Sequence, residues 1–526
     1  MTSSARDILI GIDAGTSVIK SVAFDLSGRQ VAIASVPNRY TTRQDGAAFQ
    51  SLDETWADCA QTLRSLADLV PDLAKRTAAL AVTAQGDGTW LVGQGDRPVT
   101  DGWIWLDSRA VSTVHRLRNL PTDRARFEST GTGLNACQMG TQLAHMLTTT
   151  PEFLVGAEAA LHPKDWLYLK LTGQRVADPS EANFTFGNFR TRRYDSDVIA
   201  SLGLTKYRHL LPEIVDGSHT THKLSSRAAE VTGLLEGTPV SLGYVDVVCT
   251  ALGAGIYTGG ESSNSAVGCT IIGSTGMHML AKSVDDVVLN ADATGYVMVL
   301  PLKGKVAQIH SNMASTLNID WVLKIAADLA ADLAQPVSKA ELLARIDGWL
   351  AATEPGSLIY HPYISEAGER GPFVDPNARA SFIGLDGTHR FPDLVRAVIE
   401  GLGLAARDCY TAMGVLPSEL RLTGGAARSR GLRAIHAAAI GAPTRISARE
   451  EAGAAGAAMM AAVANGHYAG IDECIAEWVT PLLGNSEPAD TELSANYADL
   501  YNNFFAARRA LSPVWQGLAN RQDRKK

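Results

Sequence analysis

The segment Leu9–Asp25 combines a carboxylate with a turn that is suited to phosphate groups. An apolar run ends at Asp13, Gly15 and Thr16 follow as a turn, and a second apolar run carries Lys20. Free backbone N–H groups in such a turn form an anion-binding concavity, and a neighbouring carboxylate can hold a hard divalent cation. The pattern predicts a site for a nucleoside triphosphate and its metal ion, although it also fits a plain polar hairpin turn.

Two further segments repeat this theme in the second half of the chain. Ser265–Thr275 has the same order of apolar strand, Gly/Thr turn and apolar strand, and Leu420–Ser429 reads as a strand, a Gly-Gly turn and a helix start. The first N–H groups of a helix lack internal partners, which favours bound anions. We therefore expect two similar halves that face each other across a ligand-binding cleft.

Asp246 is a second carboxylate that needs an explanation. It lies between Tyr244-Val245 and Val247-Val248, in an apolar run that is typical of a buried strand. An unpaired charge in such a place is costly, so the residue needs a partner or a chemical task. The structural alternative is that it caps a following helix.

The composition indicates a globular protein with two or three domains. The chain has 526 residues, of which 46% are hydrophobic and 19% charged, and this length exceeds one compact core. The net charge of −8 does not favour binding to nucleic acid or to an anionic membrane, since proteins that bind these partners usually carry positive charge. A small neutral substrate fits this balance better.

Sequence signals for export or membrane insertion are missing. The 6 cysteines have no C-x-x-C spacing, so we expect reduced, buried thiols and a cytoplasmic location. Asp7 and Asp13 interrupt the N-terminal apolar run, and no cleavage site follows. No uncharged apolar stretch reaches the roughly 18 residues of a membrane span, and the Ala/Gly-rich Ala452–Ala464 is predicted to be a tightly packed internal helix.

Alternating strand-like and helical segments predict an α/β fold. Ala79–Thr83 and Ile104–Leu106 read as strands, and Asp53–Leu69 and Arg396–Met413 read as helices. Because the first two strands are joined by a short turn, we expect a mixed sheet.

Taken in order, these motifs make the chain similar to the FGGY carbohydrate kinases, which belong to the actin-like ATPase superfamily. The matching segments follow the family's order and are Asp13–Ser17, Ala84–Gly88, Trp105–Arg109, Pro163–Leu167, Leu171–Gly173, Gly243–Asp246, Ala251–Gly255, Gly268–Thr270, Gly368–Pro372, Asp375–Arg379, Thr423–Gly425 and Glu451–Ala458. The resemblance implies two actin-like (ribonuclease H-like) ATPase domains, with mixed sheets flanked by helices and a cleft between them. Residues 1–255 would bind the acceptor and carry the first phosphate loop, and residues 256–526 would bind the nucleotide.

The resemblance also implies ATP and Mg²⁺ as cofactors. Asp13 is expected to hold Mg²⁺ directly or through water, because phosphoryl transfer needs a cation that offsets phosphate charge. Lys20 is expected either to pair with phosphate or to be a solvated strand lysine. The remaining nucleotide contacts are expected from the three turns, at Thr16, Ser17, Gly268, Thr270, Gly424, Gly425 and Ser429.

Asp246 matches the family's catalytic base, which takes the proton from the acceptor hydroxyl, and a contact with the metal shell stays open. The resemblance assigns the acceptor mainly to Gln85 and Asp87, since a carboxylate can accept from two hydroxyls. Weaker acceptor candidates are Asp107, Arg109, Asp165 and Trp166. The structural alternatives are an Asx turn at Asp87 and an ion pair between Asp107 and Arg109, and one of the two tryptophans at 103 and 105 is expected in the core.

Two departures from the family pattern fall on the substrate half. Met139–Met146 lacks a lysine that many relatives carry there, and Gly86 replaces a larger side chain, which predicts room for a five- or six-carbon acceptor. Even so, Ala84–Gly88 and Gly243–Leu252 most resemble the branch of the family that acts on small neutral polyols and ketoses, and this resemblance implies erythritol as the first choice of acceptor. The alternative is a ketose such as L-xylulose or 3-keto-L-gulonate.

Two other classes of function fit the sequence less well. A sugar-sensing pseudokinase would be expected to lack a carboxylate, yet Asp13 and Asp246 are both present. An actin-like ATPase that acts on a protein partner fits poorly with the sugar-contacting segments. A homodimer is a candidate assembly, and closure of the cleft is expected around hinge segments near residues 253–260.

Overall fold

The computed structural model describes residues 6–257 and 266–523, with side chains up to residue 521. The part of the predicted hinge from residue 258 to 260 lies outside the described residues. Among the described residues, no helix is both long and apolar enough to cross a lipid bilayer.

The strands follow in chain order. They are β1 (Ile8–Ala14), β2 (Val18–Asp25), β3 (Gln30–Pro37), β4 (Thr41–Thr42), β5 (Ala48–Gln50), β6 (Thr77–Ala84), β7 (Trp90–Val92), β8 (Gly102–Trp103), β9 (Ala159–Leu161), β10 (Val176–Ala177), β11 (Gly187–Asn188), β12 (Arg193–Tyr194), β13 (Glu213–Ile214), β14 (Thr221–Lys223), β15 (Pro239–Leu242), β16 (Val267–Ile272), β17 (Gly276–Ser283), β18 (Tyr296–Val299), β19 (Lys305–Asn312), β20 (Ile359–His361), β21 (Ser381–Ile383), β22 (Glu419–Thr423) and β23 (Thr444–Ile446).

The α-helices are interspersed with these strands. They are α1 (Leu52–Leu69), α2 (Leu73–Arg76), α3 (Val111–Arg118), α4 (Asp123–Thr130), α5 (Met139–Thr149), α6 (Pro151–Gly156), α7 (Pro163–Thr172), α8 (Pro179–Phe186), α9 (Ser196–Ser201), α10 (Ser226–Thr232), α11 (Asp246–Gly253), α12 (Thr316–Asp332), α13 (Lys339–Leu343), α14 (Ile346–Ala351), α15 (Phe391–Ala412), α16 (Arg430–Ile440), α17 (Ala452–Ala464), α18 (Ile471–Trp478) and α19 (Thr491–Asp523). Short 3₁₀ turns cover Gln94–Asp96, Thr205–Leu210, Val284–Asp286, Gly425–Arg428 and Thr480–Leu482.

The first large sheet has the order β14-β15-β6-β1-β2-β3. Strand β1 pairs with β2 in antiparallel and with β6 in parallel orientation, and β15 continues the parallel part beside β6. Strand β6 is buried along its whole length, as expected for a central strand that is covered on both faces. The sheet is therefore mixed, as the sequence predicts.

The second large sheet has the order β18-β19-β17-β16-β22-β23 and repeats the arrangement of the first. Its hairpin β16–β17 is antiparallel, and β16 pairs in parallel with β22. The hairpin beside a parallel strand matches β1–β2 beside β6. This repeat confirms the internal similarity seen in the sequence and the α/β fold with two mixed sheets.

Helix α17 returns from the second half of the chain and packs against the first sheet and α11. Small residues make this close approach possible: a Cβ atom on Gly11 would lie 2.0 Å from the carbonyl oxygen of Ala454. A Cβ atom on Gly456 would lie 2.1 Å from the carbonyl oxygen of Cys249. The prediction of a tightly packed internal helix at Ala452–Ala464 is confirmed.

Several details differ from the sequence predictions. Ile104–Leu106 is a turn rather than a strand, since β8 ends at Trp103 and Leu106 is exposed. The predicted helix Arg396–Met413 begins earlier, at Phe391 with proline in its first turn. All 6 cysteines are free and buried, as expected.

Replacing Gly456 by alanine tests the close packing of α17. We expect Gly456→Ala to lower the free energy of unfolding by about 2 kcal/mol, because the added methyl group overlaps backbone atoms. Gly517→Ala in α19 is the matched control: a Cβ there meets no atom within 4 Å, so it should gain about 0.5 kcal/mol from helix propensity. Thermal and urea unfolding measure both, and an unchanged Gly456→Ala variant would refute the packing argument.

Candidate active site

A cavity of about 240 Å³ lies between the two large sheets. On the first sheet it is bounded by residues that follow the carboxyl ends of β1, β6 and β15, which run parallel and so end at the same edge. On the second sheet it is bounded mainly by β17, β18 and β19. Its lining residues are Thr16, Gln85, Gly86, Asp87, Trp105, Cys137, Phe184, Val245, Asp246, Val247, Thr275, Met277, Tyr296, Met298, Ile309, Ser311 and Arg370.

Asp87 offers an unused acceptor to this cavity. It has a left-handed backbone (φ 59°), and its Oδ1 atom is buried without a hydrogen-bond partner. The thiol of Cys137 lies 3.4 Å from Oδ2 as a donor, and the backbone N–H of Asp87 donates to Glu181 at 3.3 Å. Burial, followed by the charge of Glu181, raises the pKa of Asp87 to about 7.

A short chain of hydrogen bonds fixes the residues beside Asp87. Trp105 Nε1 donates to Thr16 Oγ1 at 2.8 Å, and Thr16 Oγ1 donates to Gln85 Oε1 at 2.8 Å. Gln85 Nε2 in turn donates to Gln50 at 2.6 Å. Trp105 thus lines the cavity, whereas Trp103 packs in the core, in agreement with the expectation for this pair of tryptophans.

Asp246 faces the cavity from the first turn of α11. Strand β15 ends at Leu242, so the apolar run around Asp246 is a loop and a helix start instead of the predicted strand. Its Oδ1 atom accepts the N–H of the next residue, Val247, at 2.6 Å, but the N-cap of α11 is Val245 and not Asp246. Burial and then the nearby charge of Asp13 raise the pKa of Asp246 to about 8, and the residue lines the cavity.

Asp13 lies at the carboxyl-terminal end of β1, near Asp246. Burial raises the pKa of Asp13 to about 6, and Lys20 opposes this shift. Lys20 is itself engaged, since its Nζ lies 2.8 Å from Glu451. A Cβ atom at Gly453 would lie 2.5 Å from Asp13 Oδ2, so glycine is needed beside the carboxylate.

The described residues contain no group of three or more His, Cys, Asp or Glu side chains that could hold a metal ion by itself. Mg²⁺ usually takes one or two carboxylates and completes its shell with water and substrate phosphates. Asp13 has no hydrogen bond to its carboxylate among the described residues, and it is close enough to Asp246 for its charge to raise the pKa of that residue. This donor set fits such a partly hydrated Mg²⁺.

The second turn, which the sequence predicts as a phosphate site at Gly268 and Thr270, lies instead at residues 273–275, between β16 and β17. Gly268 and Thr270 lie within β16. Thr270 is fully buried, with its hydroxyl 2.9 Å from Tyr410 and 3.1 Å from His278. A Cβ atom at Gly268 would lie 2.9 Å from Pro417. Both residues therefore serve packing, whereas Thr275 reaches the cavity.

The third turn contains an open glycine and a helix cap. Gly424 has φ 97° and lies against the carbonyl oxygen of Ile272, whereas a Cβ at Gly425 would meet no atom within 4 Å. Ser429 caps α16, and its hydroxyl donates to Asp347 at 2.8 Å. Ser17, in the first turn, is exposed.

The weaker acceptor candidates do not lie at the cavity. Arg109 Nη2 is 2.6 Å from Asp107 Oδ2, and the guanidinium of Arg109 covers the Trp103 ring at 3.4 Å. This pair is part of the scaffold, which was the structural alternative.

Asp165 and Trp166 belong to the buried interior of the first half. Lys164 Nζ lies 2.7 Å from Asp165, which is fully buried. Trp166 is also fully buried and donates its Nε1 hydrogen to the Leu52 carbonyl at 2.8 Å. Neither residue lines the cavity, because helix α7 is buried along almost its whole length inside the first half of the chain.

Gly86 does not enlarge the cavity. A Cβ atom at this position would lie 2.7 Å from Val245 Cγ2 and 2.8 Å from Glu181 Oε1. The space behind Gly86 is therefore already filled, and the expectation of extra room for a longer acceptor is wrong.

Sequence reasoning missed the residues of the second half that line the cavity. In the first half it missed Cys137 and Phe184, which also line it, and Glu181, which accepts the N–H of Asp87. Most of these are apolar residues that no local pattern separates from ordinary core. Arg370 is different, because it belongs to the segment Gly368–Pro372 that carries the family resemblance. The motif could be recognised in the sequence, but no neighbouring residue indicated that Arg370 lines the cavity.

Sequence profiles of the FGGY family of carbohydrate kinases match both halves of the chain. The profile of the N-terminal domain matches residues 8–253, and that of the C-terminal domain matches residues 268–465. The erythritol kinase of Brucella abortus (strain 2308) is 62% identical over 514 residues, which cover 98% of this chain and 98% of that protein. The L-xylulose/3-keto-L-gulonate kinase of Escherichia coli (strain K12) is 24% identical and covers 88% of this chain and 89% of that protein.

Solved structures show the same fold. A gluconate kinase from Lactobacillus acidophilus has a TM-score of 0.85 at 21% identity, covering 97% of this chain and 99% of that chain. A glycerol kinase from Plasmodium falciparum, solved with ADP, has a TM-score of 0.81 at 16% identity, covering 96% and 98%. The two family profiles, the full-length relative and the shared fold lead to one conclusion: the chain belongs to the FGGY family of carbohydrate kinases.

Proposed function

We propose that this protein is an ATP-dependent kinase that phosphorylates a terminal hydroxyl of erythritol. The observation that carries the proposal is the 62% identity over 98% of the chain with an erythritol kinase. The cavity supports it, because it places two carboxylates, Asp87 and Asp246, around a volume suited to a small polyol. A cytoplasmic location is part of the proposal and is supported by the free, buried cysteines; the homodimer stays a prediction.

Asp246 acts as the general base in this proposal. Its Oδ2 atom is left for the acceptor because Oδ1 is held by the Val247 N–H. A pKa of about 8 suits a base that works near neutral pH, since proton transfer is most effective when the pKa lies near the working pH. The hydrogen bond from the Val247 N–H also fixes the orientation of the carboxylate.

Asp87 binds and orients the acceptor. Its unpartnered Oδ1 atom is a ready acceptor for hydroxyl hydrogens. Gln85 and Trp105 hold Thr16 at the mouth of the first turn, where the phosphate groups of ATP would lie. Asp13 would hold Mg²⁺, which offsets the phosphate charge when it is bound.

The nucleotide would be bound mainly by the turns. Thr16 and Ser17 flank the first turn, and Thr275 lies on the opposite side of the cavity. Gly425 is open to close approach by a ligand. Lys20 and Ser429 are held by protein partners, so we assign them to supporting these turns.

A panel of acceptors tests the reaction. With ATP and Mg²⁺, we expect ADP formation to require an acceptor and kcat/KM for erythritol to exceed that for L-xylulose and 3-keto-L-gulonate at least tenfold. The physical reason is that the space behind Gly86 is filled by Val245 and Glu181, so this glycine gives a longer chain no additional room. ADP release at the same rate without any acceptor would contradict the proposed carbohydrate kinase activity. A higher kcat/KM for a ketose would contradict erythritol as the acceptor.

Substituting the base separates chemistry from binding. Asp246→Asn should lower the rate of transfer by about 10³-fold, while the Kd for ATP changes only a few-fold, because the amide cannot accept the proton. Asp285→Asn, at an exposed carboxylate away from the cavity, is the matched control and should be unchanged. Rapid-quench kinetics and calorimetry measure the two quantities, and a fully active Asp246→Asn enzyme would refute the assignment.

The same variant should also change stability with pH. The folded-state pKa of Asp246 lies above its ordinary value, so ionisation of this group costs stability as pH rises from about 4 to about 8. Asp246→Asn removes this cost and should stabilise the ligand-free protein by on the order of 2 kcal/mol at pH 8, after solvent screening is allowed for. Urea unfolding at several pH values should show the gain shrinking toward pH 4; a gain independent of pH would contradict the shift.

A further inference from the structure

Arg370 reaches the cavity from the second half of the chain. It lies between β20 and β21, in a loop that is fixed against the end of β19. Glu369 Oε1 accepts the N–H groups of Met313 at 2.9 Å, Arg370 at 2.9 Å and Gly371 at 3.4 Å. Asn312 Nδ2 also donates to the Gly371 carbonyl at 2.8 Å. The loop therefore holds Arg370 in a defined position.

The guanidinium of Arg370 has donors to spare. Its Nε donates to Ser311 Oγ at 3.1 Å, and among the described residues Nη1 and Nη2 have no hydrogen-bond partner. Arginine carries five N–H donors in a fixed fork, and leaving such donors unmatched in an enclosed place is costly. Since Arg370 lines the cavity, the unmatched donors lie at its wall.

An unmatched acceptor belongs to the same cavity but comes from the other half of the chain. Asp87 Oδ1 is buried without a partner, and the positive charge of Arg370 acts on this carboxylate. Among the described lining residues, Arg370 is the single cation, whereas Asp87 and Asp246 are both carboxylates. A ligand that both donates and accepts hydrogen bonds would satisfy both groups, and a neutral polyol does this with each hydroxyl.

We propose that Arg370 is a specificity-determining residue that binds hydroxyl oxygens of the acceptor from the C-terminal half, while Asp87 binds the same molecule from the N-terminal half. The proposal rests on the proposed kinase function and adds a residue to its acceptor site. One acceptor molecule then bridges the two halves of the cavity. An acceptor that lacks the hydroxyl facing Arg370 leaves the guanidinium unmatched and is rejected.

The test combines a variant with shortened acceptors. The full-length protein is assayed with erythritol and with each enantiomer of butane-1,2,4-triol, which lacks one inner hydroxyl. For the unmodified protein we expect kcat/KM to fall at least tenfold with one of the triols. For Arg370→Gln we expect kcat/KM for erythritol to fall at least thirtyfold, mainly through KM, with KM for ATP within threefold of the unmodified value.

The decisive quantity is the penalty for the missing hydroxyl, which is the ratio of kcat/KM for erythritol to kcat/KM for the poorer triol. In Arg370→Gln this penalty should drop below threefold, because no guanidinium is left to be unmatched. Arg370→Lys should restore part of the erythritol activity, and it carries the same test if the glutamine variant does not fold. Arg407→Gln is the matched control, since this half-buried arginine of the second half donates to the Ala439 carbonyl at 2.7 Å and does not line the cavity.

Two outcomes would overturn the proposal. One is that Arg370→Gln keeps the full penalty for the missing hydroxyl, and the other is that KM for ATP rises while KM for erythritol stays constant. Either result leaves the kinase function intact if the unmodified protein phosphorylates erythritol. Failure of the unmodified protein to use erythritol would instead refute the proposed function itself.

Discussion

The candidate active site depends on several carboxylates that the fold brings together in a place with little water. Asp13 lies at the end of β1, and Asp87 and Asp246 follow the ends of β6 and β15, so the parallel arrangement of these strands brings the three carboxylates to one edge of the sheet. Burial raises the pKa of each of them, and the charges of Asp13 and Glu181 add to the effect. Groups whose pKa values are shifted in this way are typical of functional sites, and the proposed binding of Mg²⁺ and of acceptor hydroxyl groups there gives the resulting cost in stability a purpose.

Close packing by small residues keeps this edge in place. Helix α17 lies directly against β1 and α11, where glycines let backbones approach to distances that any side chain would prevent. Gly453 does the same beside the carboxylate of Asp13. The chain thus uses a helix from its second half to enclose the site built by its first, which explains why the two halves cannot be understood as separate units along the sequence.

Local patterns were enough to predict the hairpins and the mixed first sheet, and they singled out Asp246. Gln85 and Asp87 were expected only from the family resemblance, and all three residues line the cavity. The local signals are a strand, a turn and a polar residue close together in sequence. The second-half contributions depend on contacts between distant segments, so Met277 and Tyr296 look like ordinary core. Thr270 lies within β16 and not in the predicted turn, because β16 continues to Ile272, which no local sequence signal shows. Asp165 and Trp166 share a motif with the family but face the interior.

A crystal structure of the protein with erythritol, Mg²⁺ and a non-hydrolysable ATP analogue tests the central claim most directly. The account predicts one terminal hydroxyl within hydrogen-bond distance of Asp246 Oδ2 and aligned with the γ-phosphate, with the remaining hydroxyls between Asp87 and Arg370. Erythritol bound outside this cavity, or in it with no contact to Asp246, would contradict the account.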